Sequence, residues 1–199
     1  VMGGEDWEYW MDALLTADLL APNAKTVAYT YIGSELTWPI YWEGTLGKAK
    51  ADLDRASAQI QQKLQSIGGD ARVAVLKAIV SQASAAIPVV PLYAALLFRV
   101  MKDQGSHEEC IEHIDRLFAS QLQPEAEMRL DEAGRIRVDD LELADRVQAE
   151  VERRWPLVDT ENLPELGDLT GFREDFLQIF GFGIDGVDYN ADVDPQRIS

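Results

Sequence analysis

The 199-residue chain is poor in cysteine, histidine and positive charge. Cys110 is its one cysteine, so no internal disulfide can form and nothing calls for an oxidising compartment; a cytoplasmic setting is the simpler expectation. Lysine and arginine number 18 against 35 acidic residues, for a net charge of -17. Such a balance argues against nucleic acid, whose binding depends on clustered cations that release counterions. The start lacks the basic-then-apolar run of a signal peptide, and the longest apolar stretch, residues 86–100, is interrupted by Pro88, Pro91 and Arg99, so no membrane span is expected. There is also no G-x-G-x-x-G that follows a strand and opens a helix; Gly181-Phe182-Gly183 comes too late and has no helix after it.

What is present is ordinary soluble-domain material, 47% hydrophobic and long enough for one substantial core. The chain opens on valine and enters an acidic helix pattern at once, as a fragment or processed product would. Trp7, Trp10, Met11, Leu14 and Leu15 recur at helical spacing. Residues 26–32 read as a buried strand with Tyr31 at its carboxyl end, and Leu46, Leu53, Ile60, Leu64 and Ile67 mark a long helix closed by Gly68-Gly69. A second buried strand is expected over residues 72–80, followed by Ser81. Strand, helix, strand is the signature of a parallel α/β unit.

Further on, residues 91–101 suggest a strongly apolar helix, Ser106 with Glu109 a capping box for a helix through Leu117 and Phe118, and residues 141–155 another helix. Residues 129–140 read as an exposed hairpin or loop. Phe172, Phe176, Leu177 and Phe180 fit a short helix, residues 181–189 a last strand, and the acidic tail after Asn190 a loose end.

One charged residue interrupts the buried stripe of the long helix: Lys50 lies four after Leu46 and three before Leu53. A lysine there can snorkel to solvent, or it can serve a partner. Tyr41 is the candidate partner. Nine helical steps would put the two on opposite faces, so convergence requires Tyr41 to precede the helix, in a turn that Gly44 and Gly47 permit. A cation favours the phenolate, and a phenol can donate to a developing oxyanion, which suits reduction of a carbonyl or a conjugated thioester. Lys48 competes for the role but points away from the stripe. Tyr31 and Ser81 end and follow the two strands, and in open parallel sheets ligands bind outside the carboxyl ends of strands.

These residues resemble the NADH-dependent trans-2-enoyl-ACP and trans-2-enoyl-CoA reductases of the FabV type, an enlarged branch of the short-chain dehydrogenase/reductase architecture. The resemblance runs along essentially the whole chain. It is carried by Gly3-Gly4-Glu5-Asp6-Trp7, Tyr29-Thr30-Tyr31-Ile32-Gly33, Leu36-Thr37-Trp38-Pro39-Ile40-Tyr41, Gln82-Ala83-Ser84 running into Ala86-Ile87-Pro88, Phe180-Gly181-Phe182-Gly183 and Asp185-Gly186-Val187-Asp188-Tyr189.

The resemblance implies an α/β fold that is part of a Rossmann-like doubly wound parallel sheet, with an apolar substrate-lid helix and extra carboxy-terminal helices. It implies NADH-dependent reduction of the 2,3-double bond of enoyl-CoA or enoyl-ACP in fatty acid synthesis. Tyr41 would be the proton donor, Lys50 would hold the nicotinamide ribose and lower the tyrosine pKa, and Tyr31 would contact substrate. Ile79, Val80 and Ser81 would touch the nicotinamide end of the cofactor, with Ser81 standing where threonine is usual. Members of the family are roughly twice as long, so residues 1–199 correspond to their carboxy-terminal catalytic half and the glycine-rich dinucleotide-binding half is absent. An amino-terminal half of the same protein is therefore an expected partner. The alternatives are a half-enzyme active only with that companion and a non-catalytic acidic binding protein.

Two other clusters carry less. His107, Cys110 and His113 lack the H-E-x-x-H pattern, and Cys110 reads as part of an apolar stripe with Ile114 and Leu117, so no metal is expected. The aspartates from Asp185 to Asp194 miss the calcium-loop spacing.

Overall fold

The computed structural model describes residues 3–192, 194 and 196. Its elements are α1 (Glu5–Thr16), β1 (Lys25–Thr30), α2 (Thr45–Leu64), β2 (Asp70–Val75), α3 (Gln82–Ala86), α4 (Val90–Asp103), α5 (Cys110–Leu117), β3 (Ile136–Arg137), α6 (Asp145–Arg154), α7 (Leu163–Leu166) and α8 (Leu169–Gln178). The three strands form one parallel sheet in the order β1-β2-β3, with Lys25 opposite Asp70 and Ala74 opposite Ile136. Among the described residues no helix is long and apolar enough to cross a membrane.

Side chains alternate across a strand, so Ala71 and Ala74 face opposite sides of β2. Ala71 packs with Met11 of α1 and with Ile60 and Leu64 of α2. Ala74 and Leu76 pack with Leu117 at the end of α5 and with Ile136 and Val138. Helices therefore cover both faces, as the doubly wound arrangement requires. The third core centres on α4, where Tyr93, Ala94, Leu97, Phe98, Val100 and Met101 meet Val147 and Val151 of α6 and Phe172 of α8. Each large apolar side chain removed from water contributes about 1.5–3 kcal/mol. The apolar helix is thus a core element along most of its length, and its first residue, Val90, reaches the cavity described below.

Several local expectations are corrected. The second strand ends at Val75 instead of running to residue 80, because the backbone N–H groups beyond Leu76 leave the ladder: that of Lys77 donates to His113 Nε2 and that of Ala78 to Glu142. The capping box sits one turn later than Ser106 and Glu109, formed by Glu109 and Glu112. Cys110 is exposed, and the buried side of α5 is His113 and Leu117. The helix expected over 141–155 begins at Asp145, since residues 139–143 form a turn. Residues 129–140 do form a hairpin, closed by an antiparallel bridge between Leu130 and Ile136, but it is not exposed throughout: Ile136 and Val138 are buried at the sheet. Residues 181–189 form no strand. Gly181, Gly183 and Gly186 all have φ between 72° and 80°, outside the extended region, and Tyr189 Oη instead closes the turn by accepting from Ile184 N and donating to Gly181 O. The loose tail expected after Asn190 lies partly outside the described residues.

Candidate active site

A cavity of about 180 Å³ opens at the carboxyl ends of β1 and β2. Thr30 and Tyr31 form its β1 side, Leu76, Lys77, Ala78 and Ile79 its β2 side, and Tyr41, Lys50, Ser81 and Ile87 close it.

Tyr41 reaches this cavity from a wound segment between β1 and α2. Tyr41 N donates to Thr37 O at 2.9 Å, Glu43 N to Trp38 O at 2.9 Å, and the buried Thr37 hydroxyl to Ser34 O at 2.9 Å. The segment then passes directly beneath the start of α2. A Cβ built on Gly47 would stand 1.6 Å from the Trp42 carbonyl oxygen, so this approach needs glycine. Tyr41 therefore precedes the helix, and Lys50 comes in from its second turn.

The electrostatics of the pair are set by burial. It pushes the Tyr41 phenol up to about 12 and depresses the Lys50 ammonium below its usual range. Burial thus moves the phenol in the direction opposite to the lowering expected from Lys50, and Tyr41 keeps its proton at neutral pH. Among the described residues no carboxylate pairs with Lys50, and no protein group bonds to the Tyr41 hydroxyl. Both are left facing the cavity, able to donate to a ligand.

Tyr31 is held differently. Its ring meets that of Tyr41 edge-on, and its hydroxyl donates to Glu142 Oε1 at 2.9 Å. Burial first, and then the Glu142 charge, raise its pKa. Ser81 caps α3, its hydroxyl accepting from Ser84 N at 3.1 Å, and lines the cavity. Ile79 lines it too, but Val80 faces an adjoining cavity of about 290 Å³ bounded by Phe98, His107 and Cys110. The structure thus brings Tyr31, Tyr41, Lys50, Ile79 and Ser81 to one cavity and leaves Val80 on its neighbour. Lys48 is exposed, as its position off the stripe implied.

Residues 1–123 match the family model described as the trans-2-enoyl-CoA reductase catalytic region. The chain belongs to this enoyl reductase family. Residues 130–193 match a second model of the family, described as the enoyl reductase FAD binding domain. Similar curated members are the enoyl-[acyl-carrier-protein] reductase [NADH] of Opitutus terrae, 58% identical over 98% of this chain and 50% of that protein, and enoyl-[acyl-carrier-protein] reductase [NADH] 1 of Vibrio vulnificus, 56% identical over 98% and 49%. The chain therefore spans about half the length of the relatives it matches. Among solved members, the trans-2-enoyl-CoA reductase of Clostridium acetobutulicum in complex with NADH superposes with a TM-score of 0.92 at 48% identity, over 97% of this chain and 49% of that one. The enzyme of Treponema denticola in complex with NAD gives 0.89 at 45%, over 97% and 48%. At these identities the α/β, Rossmann-like architecture is common to the family and this chain.

Two residues at this family's cavity escape a reading of the sequence. Lys77 lies in an apolar run and is 1% exposed; its Nζ donates to Ala78 O at 3.1 Å and stands 5.2 Å from the centre of the Phe98 ring. Burial lowers its pKa, against the pull of Glu142 and Glu108. Glu142 is fully buried, and burial raises its pKa against three hydrogen bonds that hold it down. The available signal was a charge inside an apolar stretch: Leu76-Lys77-Ala78 and Leu141-Glu142-Leu143. Period-based reading passes over such single interruptions. His107, Cys110 and His113 do not converge, and among the described residues no group of three or more histidine, cysteine or acidic side chains could hold a metal.

Proposed function

We propose that this chain is the carboxy-terminal catalytic half of an NADH-dependent reductase of trans-2-enoyl thioesters, working in fatty acid synthesis in a cytoplasmic setting. The observation that carries the reading is the cavity in which an uncommitted phenol, Tyr41, and an unpaired half-buried lysine, Lys50, meet at the carboxyl ends of parallel strands.

The residues present fit the nicotinamide end of the cofactor. Lys50 offers an ammonium with no carboxylate to satisfy it, suited to the ribose hydroxyls, while Ile79 and Ser81 offer a flat wall and a hydroxyl; Val80 borders the same loop from the adjoining cavity. Among the described residues no glycine-rich turn between a strand and a helix cradles the pyrophosphate end, which agrees with a glycine-rich companion half carrying it. Support for that companion comes from β1, which among the described strands is paired on one side alone, and from exposed Tyr9, Trp10, Phe180 and Phe182.

NADH, when bound, supplies the hydride that the β-carbon of the enoyl thioester accepts. The C2–C3 π electrons then move to the carbonyl oxygen, and the Tyr41 hydroxyl stabilises the enolate so formed by donating a hydrogen bond to that oxygen. A proton taken from solvent at the α-carbon collapses the enolate to the carbonyl and completes the saturated thioester. Tyr31 touches the substrate, and Ile87 and Val90 give the acyl chain an apolar wall. CoA and acyl-carrier protein are both admitted as thioester carriers. An acidic carrier protein would have to be received by a local cationic patch, and Arg99 and Lys102 are already engaged by Asp103 and Asp168.

The test is to express the chain joined to the amino-terminal segment that its relatives carry, and to follow NADH oxidation with a short trans-2-enoyl-CoA. Saturable oxidation that requires the double bond is expected. Neither turnover nor saturable NADH binding, in the joined protein or the chain alone, would instead favour a non-catalytic acidic binding protein that keeps the fold.

A further inference from the structure

Glu142 is the most deeply buried acid near the cavity, with 0% of its surface exposed, and it belongs to the turn that precedes α6. A carboxylate removed from water persists only where donors replace the solvent. Here three donors do so, each from a different element. Tyr31, after β1, donates its hydroxyl to Oε1 at 2.9 Å; Tyr93, on α4, donates to the same oxygen at 2.9 Å; and the backbone N–H of Ala78, after β2, donates to Oε2 at 2.5 Å. Gln148 fastens the acid from behind, its Nε2 donating to the Glu142 carbonyl at 2.7 Å and to Tyr93 Oη at 3.1 Å. Two of the three donors, Tyr31 and Ala78, line the cavity, one on each strand's side. One carboxylate therefore ties together the two segments that leave the strand ends.

It also sets the polarity of the cavity. A tyrosine hydroxyl has one hydrogen. The Tyr31 hydrogen is committed to Glu142, so Tyr31 presents only lone pairs to a ligand. The Tyr41 hydrogen is committed to no group among the described residues. The two phenols, packed edge to face, are thus an acceptor and a donor. A thioester oxygen, which can only accept, is turned away from Tyr31 and toward Tyr41. We propose that Glu142 is a positioning residue of the reductase reaction, fixing Tyr31 as the acceptor and thereby assigning the donor role to Tyr41. The proposal rests on the function given above.

The test uses the chain joined to its amino-terminal half, with Glu142→Gln, Tyr31→Phe, their double variant and Tyr93→Phe. Glu142→Gln keeps the shape but sets an NH2 against either the tyrosines or the Ala78 N–H. It is expected to lower kcat for enoyl-CoA reduction by about tenfold to a hundredfold, the scale of a displaced reacting group, with the Kd for NADH close to wild type and the melting temperature lowered by the buried donor left without an acceptor. Tyr31→Phe should do the same. The double variant should be no slower than the slower single, because both remove one contact. Tyr93→Phe spares the Tyr31 contact and should stay near wild-type kcat. With Cζ-labelled tyrosine, the carbon-13 signal identified as Tyr31 by its loss in Tyr31→Phe should move in Glu142→Gln and hold in Tyr93→Phe. Wild-type kcat in Glu142→Gln, losses that multiply in the double variant, or a Tyr31 signal that does not move would each overturn the role of Glu142 while leaving the reductase reading intact. An inactive wild-type joined protein would overturn that reading and this role with it. If Glu142→Gln fails to fold, equal kcat losses in Tyr31→Phe and Tyr93→Phe overturn the role, and a loss confined to Tyr31→Phe supports it.

Discussion

The rings of Tyr31 and Tyr41 meet edge to face with centroids 5.3 Å apart and planes at 74°, yet one hydroxyl is bonded to a buried carboxylate and the other to nothing among the described residues. This asymmetry distinguishes two tyrosines ten residues apart. It also gives the first prediction. In the joined protein, Tyr41→Phe should lower kcat by about 10²- to 10⁴-fold, the usual worth of a positioned proton donor, with thermal stability preserved. Near-normal NADH oxidation by that variant would remove Tyr41 from the reaction.

Lys50 should separate from Tyr41 in what it affects. Lys50→Met keeps the apolar stem and deletes the charge, so it should raise the Kd for NADH by about tenfold or more, the loss of a charged hydrogen bond. Tyr41→Phe should leave that Kd almost unchanged. Fluorescence titration of both variants with NADH decides the matter; equal affinities would contradict the assignment of Lys50 to the cofactor.

Gly47→Ala reverses the usual rule for helices. Alanine in place of glycine within a helix normally stabilises by about 1 kcal/mol. Here the added Cβ would fall 1.6 Å from the Trp42 carbonyl oxygen, and relief requires moving the segment that carries Tyr41. The substitution should destabilise by about 1–3 kcal/mol, as overpacking does. Chemical denaturation would reveal a rise in stability if the contact were wrong.

Val89 connects α3 to α4 with φ at 72°, a region costly for a β-branched residue. Such strain is worth about 1–3 kcal/mol. Val89→Gly, which has no Cβ to strain at φ 72° and ψ -31°, should therefore match or exceed wild type in melting temperature. A fall of several degrees, roughly 1 kcal/mol on the scale of small domains, would mean that the valine is unstrained there.

His107 gives a pH dependence. Its ring packs against Phe98 with both nitrogens buried and unbonded, and burial, helped by Lys77 and Lys102 against Asp168 and Glu112, holds its pKa down at about 4. In the unfolded chain it titrates near its ordinary value of about 6.5. Between the two values the unfolded state binds the proton and the folded state does not. The stability linked to His107 is therefore complete above the unfolded pKa and is lost as pH falls through the window down to about 4. His107→Phe keeps a ring against Phe98 and should flatten this part of the profile; parallel melting curves of variant and wild type from neutral to acidic pH would refute it.

Much of the fold could be read in advance where one local rule dominated. The apolar spacing of Ile60 and Leu64 gave the long helix and its buried face, and the β-branched run after Lys25 gave the first strand. The second strand was read too long because residues 76–80 are as apolar as a strand. Its end was fixed by His113 and Glu142, which take the next two N–H groups from far along the chain. Residues 181–189 were misread in the opposite sense: Phe182, Ile184 and Val187 resemble a strand, but three left-handed glycines do not permit one.

The amino-acid sequence by itself determined the chemistry on offer and its rough placement: Tyr41 ahead of a helix, Lys50 on that helix's inner face, Tyr31 and Ser81 after parallel strands, and a resemblance to one reductase family carried by contiguous residues. Only the tertiary structure decided which tyrosine has a free hydrogen, that burial raises the Tyr41 pKa, that Val80 faces a different cavity, and that Glu142 joins the segments beyond the two strand ends. The division has a physical cause. Periodicity and turn chemistry act over a few residues, whereas burial and hydrogen-bond partnership depend on what folds against a side chain, and Glu142 lies 111 residues from the tyrosine it holds.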